Sequence, residues 1–116
     1  TGFGLPSARE RAMDSRIKAS LDQTKVVAEI IHSRDGNYDN LCASATSLKT
    51  TDTINGLNVF QSEILDNGGS IACYASGNDY CLSSSLNSPG EFWCIDSDGV
   101  SRTTDSNCVG ASDRCR

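Results

Sequence analysis

Apolar positions in the first third of the chain recur at helical steps. Met13, Ile17, Leu21 and Thr24 stand three or four residues apart, Val27 and Ala28 lie three and four beyond Thr24, and Ile31 three beyond Ala28, the spacing that collects side chains on one face of an α-helix. The pattern predicts one unbroken helix from Ser7 to Ser33, with Met13, Ile17, Leu21, Val27 and Ile31 gripping the rest of the fold. Pro6 suits a helix start. Ser7 to Glu10 reads as a capping box, in which the Ser7 hydroxyl accepts from the Glu10 amide and the Glu10 carboxylate from the Ser7 amide. Asp14 and Lys18 form an i,i+4 pair on the predicted solvent face. The helix should stop near Arg34, because Asp35-Gly36 supplies a left-handed cap or turn. Such a helix is about 39 Å long. A compact chain of this size has a radius of gyration of roughly 13 Å. The helix should therefore outrun its domain, leaving one end for something else to cover.

The remaining pattern is shorter-ranged. Residues 37–52 are rich in Ser, Thr and Asn and read as loop. Ile54, Leu57, Phe60, Ile64 and Leu65 predict a second, shorter amphipathic helix from Thr53 to Asp66, ended by Gly68-Gly69. Gly56 weakens it, since glycine costs about 1 kcal/mol within a helix. After Gly69 the segments Ser70–Tyr74, Asp79–Leu86 and Glu91–Asp96 read as short strands. Asn87-Ser88-Pro89-Gly90 joins the second and third as a hairpin. Asp98-Gly99 is a further turn, and Val100–Thr103 adds a short edge strand. The fold class is α+β: a long N-terminal helix packed on a small antiparallel sheet of three to four strands, a short second helix in the connecting loop, and a disulfide-pinned C-terminal tail. One domain holds all of it, as spine helix (7–33), loop with short helix (34–69), sheet (70–103) and tail (104–116).

Cysteine usage changes the picture. Among 116 residues there are six cysteines, at 42, 73, 81, 94, 108 and 115, and one histidine. None forms a CxxC pair, which argues against zinc and for three disulfides made in an oxidising compartment. Six cysteines allow fifteen pairings. The first 41 residues carry none, so packing alone holds the helix. The formal charge is −5, with Arg9, Arg11, Arg16, Lys18 and Lys25 concentrated in the helix and an acidic, polar body after it. Such a body is a poor phosphate binder, which disfavours nucleic acid as a partner. No stretch approaches the apolar length of a membrane span. No secretory leader is evident, yet disulfides demand export, so the chain reads as a mature or trimmed form. Thr1–Leu5 reads in part as a non-native remnant.

Candidate chemistry is sparse. His32 near a helix C-terminus complements the helix dipole or is simply exposed. Asp96, Asp98 and Gly99 resemble a fragment of a calcium loop, but the twelfth position is Asn107, so the reading is a plain Asp-Gly turn. Tyr80 and Trp93 lie in strands beside cysteines and read as core aromatics. No catalytic residue, cofactor or metal set is assigned, and the chain is not read as an enzyme.

Three short patches carry a resemblance. Leu5-Pro6-Ser7-Ala8-Arg9-Glu10-Arg11-Ala12, with the helix that follows, resembles the segment of bacterial type IV pilins and pseudopilins just beyond their membrane-embedded helix. Asp35-Gly36-Asn37-Tyr38 is similar to the turn that closes that helix. Phe92-Trp93-Cys94-Ile95-Asp96-Ser97-Asp98-Gly99 resembles a late pilin strand and turn. The family's diagnostic start is missing: the fifth position from Phe3 is Ser7 and no apolar helix follows, so Phe3 is not a methylated mature N-terminus. The resemblance implies that a membrane helix precedes residue 1. It also implies a structural subunit of an extracellular type IV pilus, which passes through the inner membrane and assembles non-covalently with copies of itself through the pilus machinery. The domain alone should be monomeric. The alternatives are a type II secretion pseudopilin, which the family ties to calcium in a late loop, and a secreted disulfide-rich binding module. For the cysteines, the expected pairs are Cys42–Cys73, tying the loop to the first strand, then Cys94–Cys108 and Cys81–Cys115, tying the tail to neighbouring strands.

Overall fold

The structure, a computed structural model, describes residues 7–108, 114 and 115. Thr1–Leu5 and Pro6, including the start of the first family patch, lie outside the described residues.

Helix α1 runs Ala8–Asp35. Both capping-box bonds are made: the Ser7 amide donates to Glu10 Oε1 at 2.9 Å and the Glu10 amide to Ser7 Oγ at 3.1 Å. At the other end Gly36 adopts φ +79° and donates its amide to the His32 carbonyl at 2.8 Å. That left-handed geometry costs a glycine nothing and closes the last turn. The loop expected over 37–52 contains a two-stranded ladder, β1 (Cys42–Ser44) and β2 (Ser47–Leu48). Strands this short leave no alternation to read. Helix α2 (Leu57–Asp66) begins four residues later than its apolar pattern implied. Gly56 stands before it at φ +83°, outside helical space, and Ile54 is 93 % exposed rather than on the packed face.

Four strands follow: β3 (Ile71–Ser76), β4 (Asp79–Ser85), β5 (Phe92–Asp96) and β6 (Ser101–Thr104). They form one antiparallel sheet in the order β3-β4-β5-β6. The register sets Cys73 opposite Leu82 and Leu82 opposite Ile95. This row faces α1 and joins Ile17, Leu21, Ala28 and Ile31 in the main core. The alternate row, Ala72, Cys81 and Cys94, points to the other face and forms a second apolar cluster with Cys108 and Cys115 from the tail. Strand β4 is therefore covered on both sides, which buries even Ser83 and Ser84.

The molecule measures 48 × 27 × 21 Å. At its 28 residues α1 is about 42 Å long, so only the long axis can hold it. None of residues 8–13 is buried; burial begins at Asp14. The first turn and a half of the helix thus extends beyond the packed body. No described helix is long and apolar enough to cross a membrane.

Candidate functional site

Three surfaces of α1 do different things. The inward surface carries Ile17, Leu21, Thr24, Ala28 and Ile31, all fully buried, with Val27 nearly so. Met13, expected among them, is only half-buried, because it lies where the helix leaves the body. Asp14 takes the last inward position instead. It is 7 % exposed; its Oδ1 accepts from the Asn87 amide at 2.7 Å and from Asn87 Nδ2 at 2.9 Å. Asn87 Nδ2 also donates to the Asn67 carbonyl at 3.0 Å. One carboxylate thereby joins the front of α1 to the β4–β5 turn. The Asp14–Lys18 surface pair is thus corrected: Lys18 stands over the Trp93 ring, 5.1 Å from its centroid, a cation–π arrangement. Trp93 is half-buried against the core and donates its indole N–H to Asp22 at 3.0 Å. Lys25 donates to Ser101 Oγ at 2.7 Å. This flank fastens α1 to β5 and β6.

The outward surface was not singled out from the sequence. Ala8, Ala12, Ser15, Ala19, Gln23, Val26, Ile30 and Ser33 recur at three- and four-residue steps directly opposite the core, and all are exposed. No charged residue stands on this line. The Ser15 hydroxyl turns back to the Arg11 carbonyl at 3.0 Å, which makes it less polar still. Val26 is 60 % and Ile30 48 % exposed. A shallow groove lined by Arg16, Ala19, Gln23, Val59, Phe60 and Glu63 continues the line onto α2. A solvated helix face normally carries charge; the readable signal was the absence of charge at helical spacing.

The far end of α1 is locked by aromatic packing. The Tyr38 ring lies 4.5 Å from His32 and 4.8 Å from Tyr80 between centroids. Its hydroxyl donates to Glu29 Oε2 at 2.9 Å. Burial first, then the Glu29 carboxylate, pushes the Tyr38 phenol up to about 12. Burial likewise raises the Tyr80 phenol. His32 Nε2 lies 3.1 Å from Asn78 Oδ1; no described nucleophile stands against it. Asp35 is held at about 2, chiefly by its hydrogen bonds from Arg34 and then Asn40.

The cysteines form three disulfides, Cys42–Cys73, Cys81–Cys108 and Cys94–Cys115. The expected Cys94–Cys108 and Cys81–Cys115 pairs are thus reversed. The reason is the path of the tail across the sheet. The Cys108 amide donates to Ser83 Oγ at 2.9 Å, which sets Cys108 over β4 beside Cys81. The Cys115 amide donates to Asp96 Oδ2 at 2.9 Å, and its carbonyl accepts from Arg102 at 3.0 Å. Cys115 therefore sits over β5 and β6, beside Cys94. Asp96 also accepts from the Asp98 and Val100 amides through Oδ1, so the calcium-like fragment is built as a turn and tail anchor, with Gly99 at φ +86°. No protein-family model matches this chain, and no curated protein and no solved structure matches it.

Proposed function

We propose that this chain is the globular domain of a type IV pilin, a subunit of an open helical filament on the cell surface. One observation carries the reading: α1 leaves the body at residues 8–13 and presents an uncharged, partly apolar line from Ala8 to Ser33 to the outside. Among the described residues every position of this line is exposed, with only the edge of α2 beside Ala19 and Gln23. In a filament, repeated non-closing contacts between identical subunits would cover it, and an apolar segment ahead of residue 1 would continue it into the filament axis. The closed Tyr38 turn, the aromatic-Cys strand β5 and the tail tied back by two disulfides support the same reading. Disulfides suit a small body that must stay folded outside the cell. The pseudopilin alternative gains nothing from the Asp96 loop, whose carboxylate oxygens already serve three backbone amides.

The isolated domain should sediment as a monomer at micromolar concentration, because the acidic bodies share one sign. The deciding experiment restores the upstream segment and replaces the native gene with versions bearing Val26→Asp or Ile30→Asp. Both sites are exposed, so the isolated domains should lose no more than about 0.5 kcal/mol of stability, while cells should lose antibody-decorated filaments. Filaments that persist unchanged with both substitutions, or a full-length protein found only as a free secreted monomer, would end the pilin reading.

A further inference from the structure

We infer that Cys81, Cys94, Cys108 and Cys115, once reduced, form a tetrahedral thiolate site for a soft divalent ion of the zinc class. These cysteines share no local spacing motif. The β4–β5 register and the returning tail gather them into one buried cluster. The Cys94 sulfur lies 3.6 Å from that of Cys81 and 3.7 Å from that of Cys108, distances between the two disulfides and not within them. The sulfurs of Cys81, Cys94 and Cys108 all fall within 4.8 Å of one another, and Cys115 is bonded to Cys94. A tetrahedral ion with metal–sulfur bonds of about 2.3 Å sets its sulfurs about 3.8 Å apart. The spacing of Cys94 to both sulfurs of the other pair therefore already fits; the bonded partners must separate, and the Cys115 sulfur must swing in to complete the tetrahedron.

The protein holds these residues by bonds that do not involve sulfur. Ser83 Oγ fixes the Cys108 amide, Asp96 Oδ2 fixes the Cys115 amide, and Arg102 fixes the Cys115 carbonyl. The helix–sheet core lies on the opposite face of the sheet, and Cys42–Cys73 ties a separate ladder. Opening the two outer disulfides thus leaves a folded platform with three converging thiols and the Cys115 thiol in the same buried cluster. The Arg102 guanidinium at the tail offsets part of the negative charge that a thiolate site acquires. Asp96, the carboxylate facing the cluster, is satisfied by backbone amides. Metal binding would favour thiolate over buried thiol, a form that burial alone disfavours.

An added phosphine delivers two electrons to each disulfide and leaves as its oxide with oxygen from water, whose hydrogens complete the thiols. The metal then displaces the thiol protons to solvent, with no further change of oxidation state. In an oxidising compartment the disulfides hold the tail; in a reducing one the ion would hold it in the same place.

The test uses the full chain, reduced with phosphine under anaerobic conditions and titrated with Co(II), then Zn(II). Expected is one cobalt per chain, with thiolate-to-cobalt charge-transfer absorption and the visible bands of a tetrahedral ion, all abolished by zinc. Amide exchange in the tail should slow when the metal binds. The Cys42→Ser/Cys73→Ser double variant should bind as the parent does. Cys94→Ser should lose more affinity than the roughly 10- to 100-fold that accompanies loss of an outer-shell partner, and Cys115→Ser repeats the test without altering a strand. A reduced chain that stays unfolded with metal present overturns the inference. So does cobalt bound without the thiolate band, or affinity in Cys94→Ser and Cys115→Ser equal to that of the parent.

Discussion

Asp14→Ala separates a local reading of the helix from the tertiary one. As half of a surface i,i+4 pair, Asp14 would contribute about 0.3–0.5 kcal/mol, and alanine's better helix propensity would cancel that. In the structure its Oδ1 holds both the amide and the side-chain N–H of Asn87, at 2.7 and 2.9 Å. Hydrogen bonds to a charged acceptor contribute about 1.5–3 kcal/mol each. The variant recovers about 0.5 kcal/mol of helix propensity and part of the desolvation penalty of a buried carboxylate. The net expectation is a loss of about 2–4 kcal/mol, which for a domain of this size lowers the melting temperature by roughly 10–20 °C. Urea unfolding with disulfides intact measures it. Asp14→Asn keeps one acceptor toward Asn87 and should lose about half as much. Amide exchange at Asn87 should quicken in Asp14→Ala and not in a distant control such as Arg9→Ala. A loss below about 0.5 kcal/mol would refute the latch, as would Asp14→Asn proving worse than Asp14→Ala.

Leu21→Ala, at a fully buried site, should destabilise by about 2–5 kcal/mol; a loss under about 0.5 kcal/mol in the same assay would mean that the helix packs on another face. Proteolysis without reduction should release linked peptides for Cys81–Cys108 and Cys94–Cys115, with an intact mass about 6 Da below the fully reduced value, and recovery of Cys94–Cys108 would contradict the tail path. Asp35 sits at about 2 in the folded chain against an ordinary 3.8. Its contribution is therefore complete above the ordinary value and is lost as pH falls through about 2. Carboxyl NMR should place its midpoint well below those of exposed carboxylates, and Arg34→Ala should bring it back toward the ordinary value.

What the chain determined by itself was local. The Ser7–Glu10 box, the Gly36 cap and the periodicity of Ile17, Leu21 and Ile31 each involve residues a few positions apart, so their geometry follows from covalent connectivity and helix spacing. The β4–β5 hairpin follows similarly from Asn87 to Gly90. The two-residue β2 is not legible because strands that short leave no period, and the late start of α2 is not legible because the apolar spacing runs on through Gly56, which stands before the helix at a left-handed φ. The rest belongs to tertiary structure. Whether Asp14 meets water or Asn87 depends on where a turn 73 residues away lands. Whether Cys94 meets Cys108 or Cys115 depends on Ser83 and Asp96 steering the tail across a sheet whose register sequence alone leaves open. The uncharged line from Ala8 to Ser33 was present in the sequence all along, but only the packed body shows that it faces outward. A periodic pattern names two opposite faces of a helix, and burial of one is what makes the other a surface.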